Sequence, residues 1–262
     1  MSILRFIRNN YQLIGISSLI CLDFLAGIIK LYAISVLWIY ILHNIISYSI
    51  LLLLIFGQIR KLDINNIDSF SIIMLLLNNS TNTYSNYPDN LKNFLTLVNI
   101  IISIILFIVF IKIKEKKVAK LSIKQLLLFL MGLIFGIGIA LVKIRLSNSP
   151  LLELAYTYPI LFVNSITIAV STLIREEFLY RGLLWGFFRE KKVNDYLIIV
   201  ITSILWVLVH VNVYQNIPEL INFFVLGIIF GFITKFTKSI NASIGAHAGY
   251  SSFLIMQLIF FN

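Results

Sequence analysis

The chain has 262 residues, 60% of them hydrophobic and only 12% charged, with a formal net charge of +10 and one cysteine. A soluble domain carries about a quarter charged residues, so this composition belongs to lipid. The Lys and Arg residues fall in short clusters between apolar runs, as the positive-inside rule requires, so the basicity is no argument for nucleic acid; Cys21, alone in an apolar run, excludes an intramolecular disulfide and a cysteine-rich metal site.

Arg5 and Arg8 precede a first apolar run at 11–29, and a second run at 33–57 ends at Arg60 and Lys61. Residues 66–77 are apolar but short, which suits a short span or a re-entrant or interfacial helix. The stretch 78–90 has turn composition and no Lys or Arg, as an outer loop should. A span at 94–111 follows, and six lysines between Lys112 and Lys124 then mark the cytoplasmic side and set the orientation. The next span, 125–142, contains Gly132 and Gly136, a spacing that lets helix backbones approach closely in lipid and that chance also supplies.

An outer loop is expected at 146–158 and a span at 159–174, after which Arg175 to Lys192 return to the cytoplasmic side. Spans at 196–213, 217–234 and 240–261 complete the chain, with Lys235 and Lys238 inside. An inner N-terminus and an outer C-terminus conflict with eight crossings, so either one element is re-entrant or one boundary lies elsewhere, with 58–94 or 175–190 the candidate regions. The predicted fold is all-α, a polytopic transmembrane helical bundle of about seven to eight helices. Residues 1–158 supply N-terminal membrane helices and 159–262 a membrane core, in one integral membrane domain.

Ionisable residues within membrane helices cost on the order of 3 kcal/mol each on insertion scales, which makes them functional candidates. Glu177 and Arg181 stand four apart with the acid first, the favourable order for a helical ion pair, whereas Glu176 is rotated about 100° away. That leaves one carboxylate held by an arginine and one available as a general base. His210 follows Trp206 by one turn. His247 is flanked by Gly245, Ala246, Ala248 and Gly249, which admit a substrate backbone or a facing helix, and Ser251 lies one turn further on. Gly227 and Gly231 read as packing positions. His43, distant in sequence from other ionisable groups, reads as a packing or interhelical hydrogen-bonding residue, and Asp23 has no evident partner.

Together these segments resemble three motifs of the CaaX-protease and bacteriocin-processing (Abi) family, over about 159–262. They read Glu176-Glu177-Phe-Leu-Tyr-Arg181, Trp206-Val-Leu-Val-His210 and His247-Ala-Gly-Tyr-Ser251. The resemblance implies that Glu176 and His210 activate the attacking water, that His247 helps stabilise the oxyanion and that Arg181 orients or neutralises Glu177. Trp206 stands where the family usually has Phe. Ser251 stands where it has Asn, and is shorter and lacks an amide donor. Metal dependence stays open: Glu176, His210 and His247 make a conceivable three-ligand zinc set, whereas the lack of an H-E-x-x-H pair and a Glu-Glu-Arg arrangement that resembles a charge-tuned base favour the metal-free reading.

The implied function is an intramembrane endopeptidase acting on a membrane-associated peptide or protein. The family's eukaryotic members trim prenylated CaaX termini, and bacterial relatives serve peptide maturation, secretion control and bacteriocin self-immunity. The abundance of Ile, Asn and Lys fits an AT-rich bacterial gene, so peptide processing or bacteriocin self-immunity is expected. The expected setting is the lipid bilayer of a bacterial cytoplasmic membrane, with the site near the cytoplasmic side. Two other classes compete. A non-catalytic immunity or binding protein with the same fold is favoured by Ser251. An ion or proton transporter would also use intramembrane Glu and His, but no inverted repeat is discernible.

Overall fold

In the computed structural model of the chain, residues 3–31, 37–58, 61, 64–77, 104, 122–146, 159–211 and 216–261 are described. Their regular elements are all helical. In chain order they are α1 (Ile3–Leu31), α2 (Leu37–Gly57), α3 (Ser69–Leu77), α4 (Ile123–Leu146) and α5 (Pro159–Glu177), then a π-helical segment (Phe178–Leu183), α6 (Leu184–Glu190), α7 (Asp195–His210), α8 (Ile217–Thr237) and α9 (Ile240–Phe261). Two of them, α4 over Ile123–Arg145 and α8 over Ile217–Thr237, are each long and apolar enough to cross a bilayer. The nine residues of α3 rise about 13 Å, too little to cross. The predicted loop at 78–90, the span at 94–111, the lysine run up to residue 121 and the loop beyond Leu146 lie outside the described residues.

The chain forms two compact units, each drawn from two stretches of sequence: residues 67–177 with 237–262, and residues 1–66 with 178–236. In the former, α9 packs along α4 with almost no separation. A Cβ added to Gly132 or Gly136 would run into the carbonyls of Ala242 and Ala246, and one added to Gly245 or Gly249 into the carbonyls of Phe129 and Leu133. Each helix thus supplies two glycines where the other's backbone approaches, and increasing residue numbers on both show that the helices run parallel. Phe70 meets Phe129 and Phe162 meets Phe253 at the flanks. Asp68 fastens the start of α9 to that of α3. It accepts hydrogen bonds from Asn241 Nδ2 at 2.6 Å and Ser239 Oγ at 3.1 Å, and its other oxygen caps the Ser71 amide at 3.0 Å.

In the other unit α7 and α8 form an antiparallel hairpin. Gly231 lies against Ile199, and Gly227 against Ser203 and Trp206. Lys235 sits over the Tyr196 ring at one end, and His210 stacks on Phe223 at the other. The helix begins at Asn194, whose side chain accepts from the Tyr196 amide at 2.8 Å. At this charged end Arg189 forms a two-point pair with Asp195, at 2.9 and 3.0 Å, and donates to Asn66 Oδ1 at 2.9 Å. Lys61 pairs with Glu190 at 2.9 Å. Gly186 is obligatory for the same corner, because a Cβ there would overlap the Asn65 amide. Elsewhere in this unit His43 Nε2 lies 3.4 Å from Asp23 Oδ1, both side chains nearly buried, so the two ionisable residues left apart by sequence reasoning are partners across α1 and α2.

Candidate active site

Glu177 ends α5 and is fully buried. Its Oε1 accepts a hydrogen bond from His247 Nδ1 at 2.9 Å, and His247 is 3% exposed. An ionised carboxylate can only accept, so Nδ1 is the donor of this bond and Nε2 is the ring nitrogen left outside it. The sequence pairs Glu177 with Arg181, and the structure adds His247 as a hydrogen-bond partner of the carboxylate. Phe178–Leu183 is wound as a π-helix, with hydrogen bonds from i to i+5, so the α-helical register on which a spacing of four was read stops at Glu177.

Arg181 is fully buried within that π segment. Its guanidinium lies 5.0 Å from the Trp206 ring and 5.9 Å from that of Phe230, and donates to the Gly227 carbonyl at 3.3 Å. Gly227 therefore has a second use beyond packing, since it brings a backbone acceptor within reach of a buried cation. Trp206 in turn sets His210. The rings meet edge to face at 5.2 Å, and the Trp206 carbonyl accepts from His210 Nδ1 at 2.8 Å. A carbonyl can only accept, so His210, like His247, is protonated at Nδ1 and offers Nε2 for chemistry. The stack on Phe223, 5.6 Å between centroids, holds the ring plane. Phe223 was not singled out from the sequence, because nothing in the chain marks which aromatic of α8 faces the end of α7.

Glu176 lies half-buried in the last turn of α5, and Ser251 lies half-buried on α9, four residues beyond His247. The structure thus joins Glu177 with His247 in one unit and Arg181 with Trp206 and His210 in the other. Small residues around His247 serve the α4 contact: Gly245 and Gly249 meet α4 carbonyls, and Ala246 supplies a carbonyl to Gly136. Among the described residues no group of three His, Cys, Asp or Glu is arranged to hold an ion.

Depth along the hairpin also matters. Fourteen residues separate Tyr196 from His210, roughly 21 Å of helix, so His210 stands at the end of α7 away from Arg189, Asp195 and Lys235.

Comparison with known proteins returned no curated protein and no solved structure that matches the chain. One family model does match, over residues 158–253, well under half of the chain but including all three motifs and every side chain just described from Glu176 to Ser251. The segment from α5 into α9 is thus similar to the family described as type II CAAX prenyl endopeptidase Rce1-like.

Proposed function

We propose that the protein is an intramembrane endopeptidase that hydrolyses a peptide bond in a membrane-associated peptide or protein, in bacterial peptide processing or bacteriocin self-immunity. The observation that carries the reading is the common tethering of both histidines through Nδ1, His210 by a main-chain carbonyl and His247 by a buried carboxylate. Each ring is held in one tautomer with Nε2 as its working atom, as general acid–base chemistry requires. The joint action of Glu176 and His210 rests on the motif resemblance. Together they take a proton from water as its oxygen attacks the peptide carbonyl. His247 donates to the oxyanion through Nε2 as the imidazolium, whose charge the Glu177 carboxylate at Nδ1 balances. Collapse breaks the C–N bond, and the proton taken from water passes to the leaving amine.

In this mechanism Glu176→Gln removes the base and retains the shape. Cleavage by the purified protein should fall about 10²–10⁴-fold with the thermal midpoint unchanged, and chelator should leave the parent rate unaltered. Ser251 favours a second reading, a non-catalytic membrane immunity protein with this fold. Ser251→Asn decides between them, because the amide donor it adds four residues from His247 should raise cleavage in an enzyme and create none in a binding protein. Parental turnover by Glu176→Gln would refute the proposed mechanism.

A further inference from the structure

One cation of the α5-bearing unit has no role in the scheme above. Lys143 lies near the end of α4, inside the stretch Ile123–Arg145 that is apolar enough to cross a bilayer. A lysine so placed ordinarily extends its ammonium to the nearer interface. Lys143 instead turns to α9, where its Nζ donates to the Tyr250 hydroxyl at 2.9 Å and lies 5.5 Å from the ring centroid. Tyr250 is ten residues, roughly 15 Å, along a helix of 22, so the ammonium stands beside the middle of α9 and not at its end.

Among the described residues the hydrogen-bond partner of Lys143 is this neutral phenol, and no carboxylate pairs with it. An ammonium has three N–H donors, of which Tyr250 takes one. The remaining donors are accessible, since Lys143 is exposed while Tyr250 beneath it is 3% exposed. A cation at membrane depth is stabilised by an anion that joins it. Tyr250 also links the cation to the chemistry: it follows His247 by three residues, a spacing that makes helix neighbours, and directly precedes Ser251.

From this placement we infer that Lys143, held by Tyr250, is a specificity site that binds a carboxylate of the peptide substrate, one helical turn from His247. The inference rests on the peptidase reading for the identity of the ligand, but not for the existence of the site. A peptide carboxylate is favoured over a lipid phosphate because the ammonium is directed onto a buried phenol of the His247 helix rather than outward along α4. In this role the site would set which end or side chain of a substrate is presented, and Tyr250 would act by aiming the ammonium.

The test uses the full chain in detergent micelles and in nanodiscs of zwitterionic lipid, with a labelled apolar peptide made as the free C-terminal acid and as its amide. Charge-assisted hydrogen bonds of about 1.5–3 kcal/mol correspond to roughly 10- to 100-fold tighter binding of the acid. Lys143→Gln should bring the acid to the affinity of the amide, Lys143→Arg should retain most of the preference, and Tyr250→Phe should reduce it in part. Thermal midpoints of the variants separate loss of the site from loss of fold. Equal binding of acid and amide by the parent overturns the inference. So does a preference untouched by Lys143→Gln, or one abolished by adding anionic lipid, which would assign the cation to a headgroup. Cleavage of the same peptides is scored separately: a preference for the acid without hydrolysis would leave the site standing and remove the peptidase reading.

Discussion

A buried carboxylate bonded to an imidazole fixes both its tautomer and its orientation, and Glu177 does so for His247. The two side chains should therefore behave as one unit in a double-mutant cycle. Glu177→Gln and His247→Gln are each expected to lower stability by about 2–4 kcal/mol and to lower cleavage sharply. The double variant should be little worse than the worse single change in either measurement. Additive losses would separate them. The sequence marked all of these residues, because Glu-Glu-x-x-x-Arg, Trp206-x-x-x-His210 and His247-x-x-x-Ser251 are local patterns. Their partners were not legible. Which acceptor meets His247 depends on the register of α9 against α5, which no local pattern states. Asp23 and His43 went unpaired for the same reason, since no feature of the chain states how α1 lies on α2.

At the scale of elements, the helices themselves follow from composition: apolar runs predicted at 125–142, 217–234 and 240–261 become α4, α8 and α9 with ends extended by a few residues or none. The glycine pattern was legible as a possibility and the structure gives it a partner, Gly132 and Gly136 on α4 against α9 and Gly245 and Gly249 in return. Gly136→Leu should force the helices apart and lower the thermal midpoint, with a cost of about 1–3 kcal/mol as for overpacked interiors, whereas the same change at Gly138, where a Cβ meets nothing, should be close to neutral. The charged end of the α7–α8 hairpin is expected to depend on pH. The Arg189 guanidinium, by hydrogen bonding and by its charge, holds the Asp195 carboxyl below its usual range against an opposing effect of partial burial. A depressed folded value means that the stabilisation is complete above the usual carboxylate range, near pH 4, and is lost as pH falls through the folded value. Asp195→Asn should thus lower the thermal midpoint at neutral pH, and the gap from the parent should close on acidification.

For the whole molecule, the basic residues at one end of the hairpin set an orientation that can be read directly. With Cys21 replaced by Ala, a cysteine at Lys191 should label from the cytoplasmic side and one at Asn216 from the opposite side, and the reverse pattern would invert the assignment. His210 is at the Asn216 end of its helix, so the same experiment locates the reactive histidine in depth. The expectation of a site close to the cytoplasmic face rests on the charge clusters of the sequence, and the same labelling tests it. The most direct test of the peptidase account is isotopic. Candidate membrane-associated peptides are incubated with the parent protein and with Glu176→Gln in water enriched in oxygen-18, and the products are analysed by mass spectrometry. The account requires the parent to yield a defined new carboxyl terminus carrying the heavy oxygen, and the variant to yield essentially none. Equal heavy-oxygen product from both proteins, or no product from the folded parent across a panel that includes its co-expressed membrane peptides, would contradict it.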